Sequence, residues 1–347
     1  MQTPTSWTEK GYVCEPIPDG IDLKSEIRRL AKEKNAVILA HYYTEGALQD
    51  IADFVGDSLA LAQQAARTQA DIIIMCGVHF MGETCKILCP AKRVICPDIN
   101  ATCSLAESCP ADRFAAFVKA HPGHKVISYV NTTAATKAWT DVVVTSSNAR
   151  QIVESFPDHQ PLIFGPDRNL GAYINSITGR NMLLWDGACH VHERFSVEKL
   201  LALKQQYPDA EVLVHPECKK GIAALADVIG STAALLKHAV GSDVQTFLVV
   251  TESGILHKMR QMAPQKTFIP VPPEDSLESE ACAIPGTEST PKCCACNECN
   301  YMRLITLEKL YNSLRYEWPV IEVPEEVREK AIIPIQRMLE ISERLGL

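Results

Sequence analysis

Seven positions towards the C-terminal end read Cys293-Cys294-Ala295-Cys296-Asn297-Glu298-Cys299. The C-x2-C-x2-C spacing at 293, 296 and 299 presents thiolates as zinc or an iron–sulfur cluster would use them. It is not the ferredoxin run, because position 303 is Arg where a fourth cysteine would stand. The knot also reads as a local structural zinc site, or as a redox-labile Cys293–Cys296 pair. Cys85 and Cys89 are spaced C-x3-C, but Lys92 removes the third cysteine of a radical-cluster pattern. A second kind of chemistry lies at His215-Pro216-Glu217, an imidazole and a carboxylate at one chain end of a short apolar run. They suit acid–base work, and the phenols of Tyr43 and Tyr129 suit donation to a developing oxyanion. A hydrogen-bonded structural cluster is the plainer alternative. His192, three residues after Cys189, is placed to join the group, with His190 a weaker candidate. Cys14, Cys76, Cys96, Cys218 and Cys282 carry no pattern and read as structural or incidental.

These residues sit on a regular framework. Val37-Ile38-Leu39-Ala40-His41, Val126-Ile127-Ser128-Tyr129 and Val212-Leu213-Val214-His215 are short β-branched runs, each preceded by a helical pattern. They read as buried parallel strands. Ser58, Ser146 and Thr232 each follow 17 residues after His41, Tyr129 and His215. Third strands follow at 72–75, 162–164 and 247–250, and fourth strands at 94–95, 183–185 and 268–271. Each copy then reaches a cysteine: Cys103, Cys189 and Cys299. The third approach is lengthened by a loop at 272–292. A proline follows each cysteine 19 or 20 residues on, and a strand is expected at Val126, Val212 or Val320.

The expected fold is therefore α/β, with three αβα parallel-sheet domains related by a pseudo-threefold axis around a central cavity. The units are 24–104, 105–190 and 191–299, after an extension at 1–23. Segment 300–347 begins like a fourth copy and is expected to pack on the first unit. One open sheet with chance resemblances is the alternative. Ligands sit beyond the carboxyl ends of parallel strands, so the equivalent sets facing the cavity are His41/Tyr129/His215, Tyr43/Asn131/Glu217, Ser58/Ser146/Thr232 and Cys103/Cys189/Cys299. Three thiolates on such an axis leave a metal or cluster position open for a Lewis-acid role. The hydroxyls of Ser58, Ser146 and Thr232 would stand where strands turn into helices, either capping them or binding anions beside free N–H groups.

Composition limits the partners. The 34 basic against 42 acidic residues leave a net charge of −8, which argues against a nucleic-acid backbone tracker. A hydrophobic share of 46% with 22% charged residues is that of a globular chain, yet no apolar run reaches membrane-spanning length. The first 25 residues lack a basic start and apolar core, so a cytoplasmic setting is expected, where 14 cysteines form no disulfide framework. No phosphate-loop or dinucleotide glycine motif occurs.

The blocks Ala40-His41-Tyr42-Tyr43-Thr44, Gly56-Asp57-Ser58-Leu59, Met81-Gly82-Glu83-Thr84, Thr102-Cys103-Ser104-Leu105, Tyr129-Val130-Asn131-Thr132, Val144-Thr145-Ser146-Ser147, Gly187-Ala188-Cys189, Val214-His215-Pro216-Glu217 and Gly230-Ser231-Thr232 occur in unbroken order. With the terminal C-x2-C-x2-C they resemble the quinolinate synthase family over residues 24–340. The resemblance implies a [4Fe–4S] cluster on Cys103, Cys189 and Cys299. It implies condensation of iminosuccinate (iminoaspartate) with dihydroxyacetone phosphate to quinolinate, phosphate and water in NAD biosynthesis. It also implies functional coupling to an enzyme that oxidises L-aspartate to iminoaspartate. Substrate contacts carry over to His41, Ser58, Tyr129, Asn131, Ser146, His215, Pro216, Glu217 and Thr232, and catalytic roles to Glu217, His215, Tyr129 and Tyr43. Cys294 and Asn300 depart from the family pattern and leave the redox role of the upstream cysteines open. A zinc or open-cluster hydro-lyase, or an iron–sulfur redox sensor, remain as other classes.

Overall fold

The computed structural model describes residues 3–274 and 297–346. Cys282, Cys293, Cys294 and Cys296 lie outside the described residues, as does most of the 272–292 loop.

Three four-stranded sheets follow one another along the chain. The first holds β1 (Ala36–His41), β2 (Phe54–Gly56), β3 (Ile72–Cys76) and β4 (Arg93–Ile95). The second holds β5 (Lys125–Tyr129), β6 (Val142–Val144), β7 (Leu162–Gly165) and β8 (Leu183–Leu184). The third holds β9 (Glu211–Val214), β10 (Val228–Ile229), β11 (Thr246–Val250) and β12 (Thr267–Pro270). Each sheet is wholly parallel, and each takes the same order, second–first–third–fourth strand. That order reverses between the first and third strands, the place where α/β sheets open a crevice at their carboxyl ends. β3 is buried along its whole length, as expected of a strand covered by helices on both faces.

One contact shows the repeat at atomic level. Asp53, Asp141 and Asp227 each precede the second strand of their unit. Their carboxylates accept the backbone N–H of Ile38, Val126 and Val212 at 2.7, 2.9 and 2.8 Å. Their own N–H groups donate back to the carbonyls of those residues. The reciprocal pair fixes the register of two adjacent strands with one side chain.

The terminal segment divides between two units instead of joining the first alone. Helix Leu307–Tyr316 packs on helix Leu23–Glu33 and β3. Val320 makes a single antiparallel bridge to Ile95 where a strand was expected. Helix Glu325–Leu345 packs mainly against β6 and the short helix Ala134–Lys137 of the second unit. Its buried stripe includes Ala331, Ile335, Met338 and Ser342, the spacing of one helical face. A continuous core accordingly spans the first two units, while the third keeps its own apolar layers on either face of its sheet. Among the described residues, no helix is long and apolar enough to cross a membrane.

Candidate active site

The carboxyl ends of the first strands meet at one central cavity. His41 and Tyr129 are the last residues of β1 and β5, and His215 is the first beyond β9. All three line the cavity wall together with Tyr43, Asn131, Glu217, Ser58, Ser146, Thr232 and the cysteines 103, 189 and 299. Of the residues singled out in the sequence, Pro216 is not on the wall. It is buried between two residues that are. His192 lines the cavity; His190 instead bonds the hydroxyl of Ser104 at 2.7 Å.

The hydroxyl residues settle differently from one another. Ser58 and Thr232 open the ten-residue helices Ser58–Arg67 and Thr232–Gly241, but the capping is done by the residues before them, Asp57 and Ser231. The hydroxyls of Ser58 and Thr232 are thus not the caps. Ser146 lies in a turn before helix Ala149–Glu154, not at a helix start, and takes up a contact with His215 Nε2 at 3.2 Å.

Glu217 is the hub of the polar wall. Tyr129 donates its phenol proton to Oε1 at 2.7 Å. His192 Nδ1 lies 3.2 Å from Oε2, though off the line of a good hydrogen bond. Burial opposes a charge on Glu217. The adjacent His192, then His215 and the Tyr129 hydroxyl, outweigh it and hold the carboxyl below the usual carboxylate range. Tyr43 and Tyr129 are pushed upward by burial and stay protonated. Burial also pulls His41 and His215 down to about 3, so both rings are neutral. His41 Nδ1 accepts the N–H of Tyr43 at 3.1 Å, and His215 Nδ1 that of Glu217 at 3.3 Å. A neutral ring whose Nδ1 accepts must carry its proton on Nε2, so both histidines present fixed N–H donors.

From His192 a chain of hydroxyls runs along the cavity wall. His192 Nε2 contacts Thr251 Oγ1 at 3.0 Å, Thr251 contacts the Tyr43 hydroxyl at 2.8 Å, and Tyr43 contacts Thr232 at 2.8 Å. Every member can both give and take a proton. Thr251 is absent from the sequence reading. It sits one residue beyond β11, so the signal was its place at a third-strand end.

Two carboxylates missed in the sequence stand one residue further out. Asp167 and Glu252 lie two residues beyond β7 and β11, where the first unit has Val78 two residues beyond β3. Asp167 accepts the N–H of Cys189 at 3.0 Å, and Glu252 that of Cys299 at 3.0 Å. Glu252 also accepts from Gly254 N and pairs with Arg303. Burial pushes its carboxyl up to about 7 against those donors. The cysteines themselves precede helical turns, Cys103 before Ser104–Glu107, Cys189 before His190–Glu193 and Cys299 before Met302–Leu304. Backbone N–H groups of those turns point at each sulfur. Burial raises the Cys103 and Cys299 thiols to about 12 and Cys189 well above its ordinary value. Such thiols ionise only against a cation.

A donor set of this kind fits a metal centre. Among the described residues, the His, Cys, Asp and Glu group whose donor atoms all lie within 4.8 Å of one another is Cys189, His192 and Glu217. The three cysteines are not so close. A single tetrahedral ion at about 2.3 Å from each sulfur would need them within about 4 Å of one another, whereas a cluster of several irons spans more.

Fold and wall together define an α/β protein whose three repeated units surround a cavity equipped for metal ligation and proton transfer. The family model for quinolinate synthetase A protein matches residues 25–340. The chain is 54% identical over 327 residues to a quinolinate synthase of Thermosynechococcus vestitus, covering 94% of this chain and 97% of the relative. It is 51% identical over 323 residues to one of Chloroherpeton thalassium, covering 93% and 95%. The chain belongs to the quinolinate synthase family.

Proposed function

We propose that the cavity condenses iminosuccinate with dihydroxyacetone phosphate to give quinolinate, phosphate and water, and that Cys103, Cys189 and Cys299 hold a [4Fe–4S] cluster at its floor. The observation that carries this is the meeting of three cysteines from three units with one acid–base hub, in a chain of this family. Held by Cys103, Cys189 and Cys299 alone, such a cluster would supply an open iron as a Lewis acid for the loss of water. The chain's own residues do the rest. The Nε2–H groups of His41 and His215, the hydroxyls of Ser58, Ser146 and Thr232, and the N–H groups opening two helices orient carboxylates and phosphate. Glu217 takes protons, and the Tyr129 phenol and His192 return them. The Thr251–Tyr43 chain extends that path along the wall. Holding both substrates in one cavity supplies orientation that contributes up to ~7–11 kcal/mol of the barrier. We further infer a cytoplasmic setting, and a supply of iminosuccinate by an L-aspartate-oxidising enzyme.

A second reading has the 4.8 Å convergence in its favour: one divalent ion on Cys189, His192 and Glu217. It leaves Cys103 and Cys299 without a task. Anaerobic purification with iron, sulfide and zinc quantification, followed by a quinolinate assay on both substrates, tests the proposal. About four irons and four sulfides per chain with quinolinate formed supports it; one zinc and no quinolinate overturns it.

A further inference from the structure

Among the described residues, no lysine or arginine lines the cavity, while three carboxylates, Asp57, Glu217 and Glu252, stand on its wall. Such a wall repels the carboxylates and phosphate of the proposed ligands. Neutral donors and helix N-termini offset part of that repulsion, and a buried cation behind the wall would offset more. Arg303 is committed to Glu252 and Glu298. Among the described residues Lys137 has no ion pair with a carboxylate, and its side chain is fully buried.

Lys137 closes the short helix Ala134–Lys137 directly behind Asn131. Its ammonium donates to the carbonyl of Val130 at 2.8 Å and to that of Thr132, the two residues flanking Asn131. It also stands 5.5 Å from the centre of the Phe80 ring, whose residue is on the wall. Asn131 leaves its own Oδ1 buried and unpartnered, so the placing of the residue rests on the backbone on either side of it.

We propose that Lys137 is the buried cation of the substrate site, fixing the Asn131 loop through two carbonyls and supplying from behind Phe80 the positive field that retains anionic ligands. The proposal rests on the quinolinate-forming reading of the cavity. Burial pulls the ammonium down to about 8 while Glu83 and Cys103 favour its charge, so the side chain is charged at neutral pH. Lys137 touches no ligand and acts as a positioning residue. A charge about 8 Å from a dianion would change its affinity about a thousandfold at an effective dielectric of about 20 and about fivefold at that of water, so in an open, hydrated cavity the expected effect is roughly tenfold.

The test uses the cluster-loaded enzyme as wild type, Lys137→Met and Glu83→Gln. Glu83 accepts the N–H of Ala134 at 2.9 Å, which a glutamine oxygen still does, but its charge opposes that of Lys137. The readouts are KM for dihydroxyacetone phosphate, kcat, and the calorimetric Kd of quinolinate. Lys137→Met should raise KM and Kd roughly tenfold with kcat changed less than about threefold. Measured at pH 6, where Lys137 keeps its proton without the Glu83 charge, Glu83→Gln should move Kd the other way, about two- to fivefold tighter. A folded Lys137→Met with wild-type KM and Kd overturns the proposal. If that variant does not fold, Glu83→Gln decides: tighter binding supports the proposal, and unchanged or weaker binding overturns it. A wild type that neither forms nor binds quinolinate takes down the functional reading and Lys137 with it, an outcome distinct from a productive wild type with indifferent variants.

Discussion

Replacing Asp167 by asparagine separates two jobs that one carboxylate performs. Oδ1 accepts the N–H groups of Asn169 at 2.6 Å and Leu170 at 2.9 Å, which caps helix Arg168–Thr178. Oδ2 accepts the N–H of Cys189 at 3.0 Å. Asparagine caps helices about as well as aspartate, so its one carbonyl oxygen stays with the helix and its NH2 turns on the Cys189 N–H. Two donors then face each other at a position with 0% exposure. Losing that bond and stranding a buried N–H costs about 2–3 kcal/mol. That is roughly a 30- to 150-fold shift towards a released Cys189 loop. The loops of Cys103 and Cys299 are untouched, so a cluster should still assemble and be held less firmly. The assay is anaerobic reconstitution, then the rate at which a chelator bleaches the visible absorbance, beside thermal unfolding of the cluster-free protein. Bleaching should be tens of times faster, with the melting temperature moved by only about 3–4 °C. Wild-type bleaching with a clearly lowered melting temperature would refute the reasoning, because the carboxylate would then serve the helix and not the cysteine.

Glu217→Gln should lower kcat by roughly 10²–10⁴ while iron content stays at the wild-type level; undiminished turnover removes Glu217 as the acid–base. Serine at Cys103, Cys189 or Cys299 should each abolish the iron and sulfide found in the wild type. Metal lost only from Cys189→Ser would favour the single-ion reading, and clusters surviving all three changes would end the assignment. Lys137 also predicts a pH dependence of stability, with its folded pKa lowered from 10.5 to about 8. Between those values the unfolded chain holds the proton and the folded one releases it, so stability rises with pH through the window, by at most about 3 kcal/mol. Denaturant unfolding of cluster-free wild type and Lys137→Met across that range checks the sign. A wild-type-minus-variant difference that stays flat or shrinks as pH rises contradicts it.

The three copies were legible because strand periodicity and turn position repeat in the sequence. His41, Tyr129 and His215 follow like runs, and the aspartates at 53, 141 and 227 stand in register because each must reach the strand beside it. Asp167, Thr251 and Glu252 were not legible. At the position two residues beyond the third strand the copies carry Val78, Asp167 and Glu252, so comparing them finds no shared residue. The value of the two acids comes from N–H groups 22 and 47 residues away, which only the folded chain delivers. The address of helix Glu325–Leu345 was hidden for a related reason. A stripe at 331, 335, 338 and 342 marks a buried face but does not encode which sheet it covers. Asn148, at the start of a helix in the second unit, donates to Ser342 at 2.9 Å and helps fix that address.

The same divergence gives a pseudosymmetric cavity its sides. Equivalent positions supply one cysteine per unit, which is what a threefold arrangement does without further specification. Beyond the third strand the units part company. The first places Val78, Phe80 and Met81 on the wall near Cys103, whereas the third places Thr251 beside the wall and Glu252 on it. A cavity of three like faces could bind a ligand in three equivalent orientations, and the acid–base hub would meet the reacting atoms in only one of them. Apolar residues from the first unit, set against the polar Glu217 and His192 of the third, would remove that degeneracy. They can take the hydrocarbon side of a ring while the polar side meets its carboxylates. The repeat thus accounts for where the thiols come from, and the breaking of the repeat accounts for how one orientation is chosen.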